Sequence, residues 1–237
     1  MTDISRRSLA AGAGLLAGAL AFGTRAQQMA PQMATAIPVP KITPKPLVIN
    51  PDKVKGLSGD LLRSHHDGVY AEEVKKLNAI GEELSKLDLA QVTPQKLGDL
   101  KRDEQAAHNS TLLHEIYFDG LSEAPTQPSG LLAQALSRDF GSFDRWKAEF
   151  RLIGESLNAG SGWVILAYAP REKRLLNHRT ENDSMAPAGS VPLLAMDMYE
   201  HAYAADYGTD TAKYIEAFVQ AIKWTSAERL YREAMRV

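Results

Sequence analysis

The sequence predicts an α+β protein: an N-terminal antiparallel helical hairpin, then a C-terminal lobe in which a three-stranded antiparallel sheet is covered by helices. Three observations predict it. Two long stretches carry apolar residues at helical spacing, Leu61 to Leu87 and Leu97 to Ile116, with a short break between them. An unbroken apolar run, Trp163-Val164-Ile165-Leu166-Ala167-Tyr168, has the length and the β-branched and aromatic content of a buried strand. Shorter apolar runs at Leu175-Leu176 and from Val191 to Met196 supply two partner strands, and helix-period segments lie on either side.

Taken in order, the chain opens on Ser5-Arg6-Arg7-Ser8-Leu9 and a Leu/Ala/Gly-rich stretch to Gly23, followed by Thr24-Arg25-Ala26, a small-x-Ala cleavage pattern. Residues 1–26 read as a twin-arginine signal peptide, so the mature chain is expected in the periplasm. The apolar stretch is about 15 residues, shorter than the roughly 20 that a spanning helix needs, and no membrane association is expected after cleavage. Residues 27–52 hold Pro31, Pro38, Pro40, Pro44, Pro46 and Pro51 with few large apolar side chains, the composition of an extended, solvated linker.

The hairpin occupies residues 53–124. Ser58 is placed to cap its first helix with Asp60 in the first turn, and Leu61, Leu62, His65, Val69, Tyr70, Val74, Leu77 and Ile80 recur at helical spacing to about Leu87. His65 therefore lies on the buried face, while His66, about 100° further round, points elsewhere. After a break at Leu89 to Thr93, Pro94 opens the second helix at its favoured position and Gly120 can end it. His114 sits late on this helix, and His108 falls on a different face. The short connection makes the two helices antiparallel, bringing His65 and His114 together.

The Pro-rich loop from Pro125 to Pro128 separates off residues 129–237. Leu131 to Leu136 and Phe143 to Leu157 read as helices divided by Phe140-Gly141-Ser142; the three strands follow. A single last helix is expected from Thr211 to about Met235, with Tyr214, Phe218, Ile222 and Trp224 packing inward. Composition narrows the function classes. The formal charge of −2 becomes −4 once Arg6, Arg7, Arg25 and Asp3 leave with the signal, and no basic patch argues for a nucleic-acid partner. With no cysteine, neither a disulfide nor a lipidated N-terminal thiol is available.

Chemistry concentrates in Pro192-Leu193-Leu194-Ala195-Met196-Asp197-Met198-Tyr199-Glu200-His201-Ala202-Tyr203, where an apolar run delivers a carboxylate and an imidazole four residues apart. Asp197 and His201 share one helical face, or Asp197 ends a buried strand with His201 on the following turn; either geometry lets both point one way. Together with His65 and His114 they make a set of three imidazoles and one carboxylate, suited to a redox-active iron or manganese ion.

The segment from Asp197 to Tyr203, followed by Asp206-Tyr207, resembles the Asp-x-Trp-Glu-His-Ala-Tyr signature of the iron/manganese superoxide dismutases. Four other blocks agree in order: Leu57-Ser58 through His65 to Leu77-Asn78; His114-Glu115-Ile116-Tyr117-Phe118; Gly160-Ser161-Gly162-Trp163; and Tyr214 through Ala217-Phe218 to Trp224. The resemblance runs from about Pro46 to the C-terminus. It implies one iron or manganese ion per subunit, held by His65, His114, Asp197 and His201, with superoxide as substrate in a homodimer. It also implies that Trp163, Asp183, Tyr199 and Glu200 lie around the ligands or at the subunit interface. Twin-arginine export, which carries folded proteins, would let the chain load its metal before leaving the cytoplasm.

The surroundings depart from the family pattern. Where the family has a second histidine and then a channel-mouth tyrosine after the first ligand, this chain has Val69 and Glu73; Tyr70 is the nearest remaining hydroxyl. Glu73 and Tyr70 are thus the candidate catalytic residues. The tyrosine that pairs with that second histidine across the family's dimer is here Ala204, so both partners are missing together. The glutamine that bonds metal-bound solvent in the family falls on Ser110 in one register, or among Glu181, Asn182 and Asp183 in the other. Tyr199 stands in place of tryptophan, and Glu200 is kept; in the family this glutamate bonds the last ligand histidine of the partner subunit. The expected activity is disproportionation of superoxide to oxygen and hydrogen peroxide. The alternative is a non-catalytic metal-binding relative whose altered surroundings no longer deliver protons.

Overall fold

The computed structural model describes residues 37–157 and 160–236. The expected signal peptide and the first part of the Pro-rich stretch lie outside the described residues. From residue 37 the chain is extended and mostly exposed, yet it is tied to the hairpin it crosses. Ile42 N–H donates to Asn78 Oδ1 (3.0 Å) and accepts from Asn78 Nδ2 at its carbonyl (2.8 Å). Lys45 N–H donates to the Tyr70 hydroxyl (2.8 Å), and its side chain pairs with Glu115.

Ser58 caps α1 (Gly59–Arg63) through a 3.1 Å bond from Leu61 N–H to its Oγ. The helix does not continue regularly. Residues Ser64–Tyr70 form a wider π-helical turn, closed by Ala71 N–H on the carbonyl of His66, before α2 (Ala71–Ser85) resumes the ordinary pitch. One extra residue in that turn changes which side chains face inward, as π turns do at functional sites. Thr93 and Pro94 then start α3 (Pro94–Asp119), with Lys96 N–H on Thr93 Oγ1 at 3.2 Å. Ile80, Leu100 and Ala107, with Leu77, Leu84 and Leu87 against them, pack the far end of the hairpin.

Beyond the loop come α4 (Gly130–Phe140) and α5 (Phe143–Ser156), then β1 (Trp163–Ala169), β2 (Arg174–Thr180) and β3 (Val191–Asp197) in the spatial order β2-β1-β3, all antiparallel. The fold is α+β as expected. Every β1 residue is buried, because helices cover one face and the hairpin side of the core the other; this is why its sequence is uniformly apolar. A bulge in the β1–β3 ladder falls between Leu166 and Ala167, opposite Leu194 and Pro192, the latter having no N–H to give. Strand β2 is longer than the expected Leu175-Leu176 pair. Its polar middle is held by packing chemistry instead: Trp146 Nε1 donates to Asn177 Oδ1 (3.0 Å), and Asn177 Nδ2 to Glu149 (3.1 Å).

The chain then makes a 3₁₀ turn at Glu200–Ala202 and a short α6 (Ala204–Tyr207). The single C-terminal helix expected from Thr211 to Met235 is in fact two, α7 (Thr211–Ala221) and α8 (Trp224–Ala234). The cause is the strand-like passage of residues 120–126. Ser122 N–H takes the carbonyl of Ala221 (3.0 Å), Thr126 N–H that of Ile222 (3.3 Å), and Lys223 N–H goes to Gly120 O (2.7 Å). Backbone groups that would have closed the helix are spent on this crossing. Among the described residues no helix is long and apolar enough to cross a membrane.

Candidate metal centre

Strand β3 ends at Asp197, fully buried and directly opposite Trp163 of β1. His201 follows on the 3₁₀ turn, so of the two geometries open to this pair the structure has the strand end and turn. The π turn supplies His65 and the last turns of α3 supply His114. Ligand atoms of His65, His114, Asp197 and His201 all lie within 4.8 Å of one another. Their Nε2 atoms converge on one oxygen, Asp197 Oδ2: His65 at 3.1 Å, His201 at 3.0 Å and His114 at 3.5 Å.

The donors are prepared for a cation. His114 Nδ1–H donates to the Ser110 carbonyl one turn earlier (2.7 Å), which leaves Nε2 as the bare lone pair, and that buried atom has no hydrogen-bond partner. Asp197 is fixed at both ends: Oδ1 accepts from Tyr199 N–H (2.8 Å) and its carbonyl accepts from the Tyr214 hydroxyl (2.6 Å). Three imidazole nitrogens and one carboxylate oxygen, with one nitrogen buried and unpaired, fit an iron or manganese ion.

Electrostatics agree with the burial. Desolvation pushes His114 down to about 4 and His65 below its ordinary value, so both are held neutral, the ligating form. Burial alone would raise Asp197, but hydrogen bonds from His201 and His65 outweigh it and keep the carboxylate well below its usual range. For His201 desolvation is likewise outweighed by the Asp197 bond, leaving it raised. Its side chain is 30% exposed, the one member of the four that reaches an open depression, shared with Ser58, Ser64, Glu200 and Ala204.

Around the four, the expected residues divide. Trp163 stands edge-on to His114, with centroids 5.0 Å apart, and Tyr199 lies parallel to His201 at 5.4 Å. Asp183 accepts from both, Trp163 Nε1 at 2.9 Å and Tyr199 OH at 3.0 Å. Of the three loop positions left open by sequence, Asp183 is the one whose side chain reaches these rings. Ser110 stays beside His114, its Oγ 3.3 Å from Nδ1. Glu73 is partly buried at 24% side-chain exposure; desolvation raises its pKa against Lys76 at 3.7 Å, and Asp183 and His201 lie within its electrostatic reach. Glu200 is exposed.

Tyr70 stands beside the cluster but bonds away from it. Its ring stacks at 6.2 Å from His114, but its hydroxyl accepts from Lys45 N–H and donates to Glu115 (3.1 Å), a packing role between the extended arm and the hairpin. His66 is also turned to the arm, with Nε2 2.9 Å from the Lys45 carbonyl. His108 and His178 are outside the cluster. An apolar cavity of about 480 Å³ behind Tyr70, among Lys45, Val48, Leu112 and Leu230, has none of the four candidate ligands in its lining and is not the centre of the chemistry. The Tyr214 and Ser110 bonds to the ligands were missed from sequence. Ser110 had a signal, a residue one helical turn before a ligand, whereas Tyr214 had none.

Residues 128–230 match the family described as iron/manganese superoxide dismutases, C-terminal domain. Similar proteins include "Superoxide dismutase [Fe]" of Cupriavidus metallidurans, 46% identical over 81% of this chain and 97% of that protein. "Superoxide dismutase [Mn] 2" of Halobacterium salinarum is 36% identical over 71% of this chain and 83% of its own length. "Superoxide dismutase [Mn]" of Mycobacterium intracellulare is 32% identical over 75% and 86% respectively.

Proposed function

Because the chain belongs to the iron/manganese superoxide dismutase family, we propose that it disproportionates superoxide to oxygen and hydrogen peroxide at a mononuclear iron or manganese site. His65, His114, Asp197 and His201 would hold the ion, which supplies the one-electron chemistry when bound. The observation that carries this reading is the convergence of three Nε2 atoms on Asp197 Oδ2.

The chain's own residues supply the rest. Ser110 aims His114, Tyr199 N–H and Tyr214 aim Asp197, and the buried aromatic wall of Tyr117, Phe118 and Trp163 excludes bulk water from the ligand side. His201, which reaches an open depression, and the partly exposed Glu73, within electrostatic reach of it, are the groups that an incoming anion and protons would meet. Elemental analysis and a superoxide-decay assay on the same folded sample test the proposal. Stoichiometric iron or manganese with fast decay supports it; a loaded protein with no decay above buffer would instead establish the non-catalytic, metal-binding alternative.

Export and assembly belong to the same reading. Arg6-Arg7 and the cleavage pattern at Ala26 support delivery of the folded protein to the periplasm, and normal delivery of an Arg6→Lys, Arg7→Lys double variant would refute it. The exposure of Glu200 beside half-open His201 supports a homodimer in which the glutamate of one subunit orients the imidazole of the other. A Glu200→Ala chain that remains as dimeric as the parent in sedimentation would remove that support.

A further inference from the structure

We infer that Asp183 is a positioning residue: one carboxylate locks two aromatic rings that pack on the candidate ligands and sets a second negative charge near them. The inference rests on reading the four-residue cluster as a redox-metal site. Asp183 lies in the connection between β2 and β3, and its backbone is held from outside the connection. Asn109 Nδ2 donates to the Asp183 carbonyl (2.7 Å) and Gln105 Nε2 to that of Ser184 (2.8 Å), both from α3, while Ser161 Oγ holds the carbonyl of Glu181 (3.0 Å). Main chain so fixed turns the short side chain inward.

There its two oxygens are divided. Oδ1 takes the Trp163 indole N–H, a group that can only donate, and Oδ2 takes the Tyr199 hydroxyl proton. Trp163 meets the edge of His114 at an interplanar angle of 85°, and Tyr199 lies within 9° of parallel to His201. Two histidines drawn from different lobes are therefore braced through rings that share one anchor. An acceptor-only carboxylate also commits the Tyr199 proton to Asp183. Its charge lies within electrostatic reach of both Asp197 and His201, and so favours the higher oxidation state of an ion held between them.

Two substitutions separate bracing from charge. Asp183→Asn keeps an oxygen for Trp163 and offers Nδ2–H to the Tyr199 hydroxyl, so the rings stay while the charge goes. The near-UV circular dichroism should be unchanged and the midpoint potential of the bound ion should shift upward. Asp183→Ala loses both bonds; the near-UV spectrum should change, and metal affinity should fall about 10–100-fold, as for other partners that orient ligands. An alanine variant with parental spectrum and affinity overturns the bracing role, and an asparagine variant whose potential is unmoved or lower overturns the charge role. If the alanine chain fails to fold, Tyr199→Phe, which removes one of the two ring bonds to Asp183, tests the bracing role by the same spectrum and affinity, and the asparagine potential still decides the charge role. None of these readouts needs turnover, so an inactive parent would count against the proposed dismutase activity without touching Asp183.

Discussion

Gly162→Ala should damage the fold and the centre together. Gly162 sits just before Trp163 with φ of +132°, a region where an L side chain is strained by about 1–3 kcal/mol. A Cβ built there meets Thr180 O at 1.9 Å, Thr180 C at 2.9 Å and Glu181 Cα at 3.1 Å, all main chain, whereas ordinary contact begins at 3.4 Å. No side chain can swing away. The end of β2 must withdraw by about 1.5 Å, loosening the Trp163–Thr180 pair at about 1 kcal/mol per lost ladder bond and carrying the Asp183 connection with it. We expect a total loss of about 3 kcal/mol, a fall in Tm of about 6–12 °C for a chain of this size, and reduced metal content. Gly98→Ala is the control: exposed in α3 with nothing within 4 Å of its Cβ, it should gain about 0.5–1 kcal/mol from helix propensity. Calorimetry on the two variants beside the parent decides. A Gly162→Ala chain within about 1 kcal/mol of the parent and fully loaded would refute the reasoning.

Three further outcomes are expected. His114→Ala should lose its ion on dialysis, while His108→Ala should retain it; equal metal loss by elemental analysis would sink the ligand assignment. Tyr214→Phe strands the buried carbonyl of Asp197 and should cost about 1–3 kcal/mol, so a Tm equal to the parent's would show that the bond carries no net stability. Glu73 is partly exposed with Lys76 beside it, and as an ionised group it should oppose an incoming anion. Glu73→Gln should raise the rate by up to about tenfold, the low end of electrostatic steering, and weaken its salt dependence. A slower variant would mean that Glu73 delivers protons; no change in rate or salt dependence would mean that it faces away from the channel.

What was legible in the sequence was what local signals carry. Ser58, Thr93 and Pro94 start helices by chemistry contained within four residues, and the apolar run of β1 announces a strand buried on both faces. What escaped depends on distant partners. The division of the last helix at Ile222 has no glycine or proline to mark it, because the groups that break it come from residues 120–126, a hundred positions earlier. The polar half of β2 reads as loop until Trp146 and Glu149 are seen to bind Asn177. The π turn leaves no periodic trace in seven residues, yet it places His65 inward while handing His66 and Tyr70 to the arm at Lys45.

The same division holds inside the centre. Residue identity and order were enough to name four candidate donors, but their aim is set by groups that no motif contains. A helix carbonyl fixes the tautomer of His114, a strand-end N–H and a tyrosine from α7 fix Asp197, and a ring tied to Asp183 lies against His201. The result places His114 Nε2, buried without a hydrogen-bond partner, beside a carboxylate oxygen already claimed by two other imidazoles. Leaving such an atom unpaired costs about 1–3 kcal/mol, and removing the oxygen's charge from water costs more. A fold accepts that arrangement where a cation repays it, which is why the unpaired Nε2 of His114 argues for a metal more strongly than the count of histidines does.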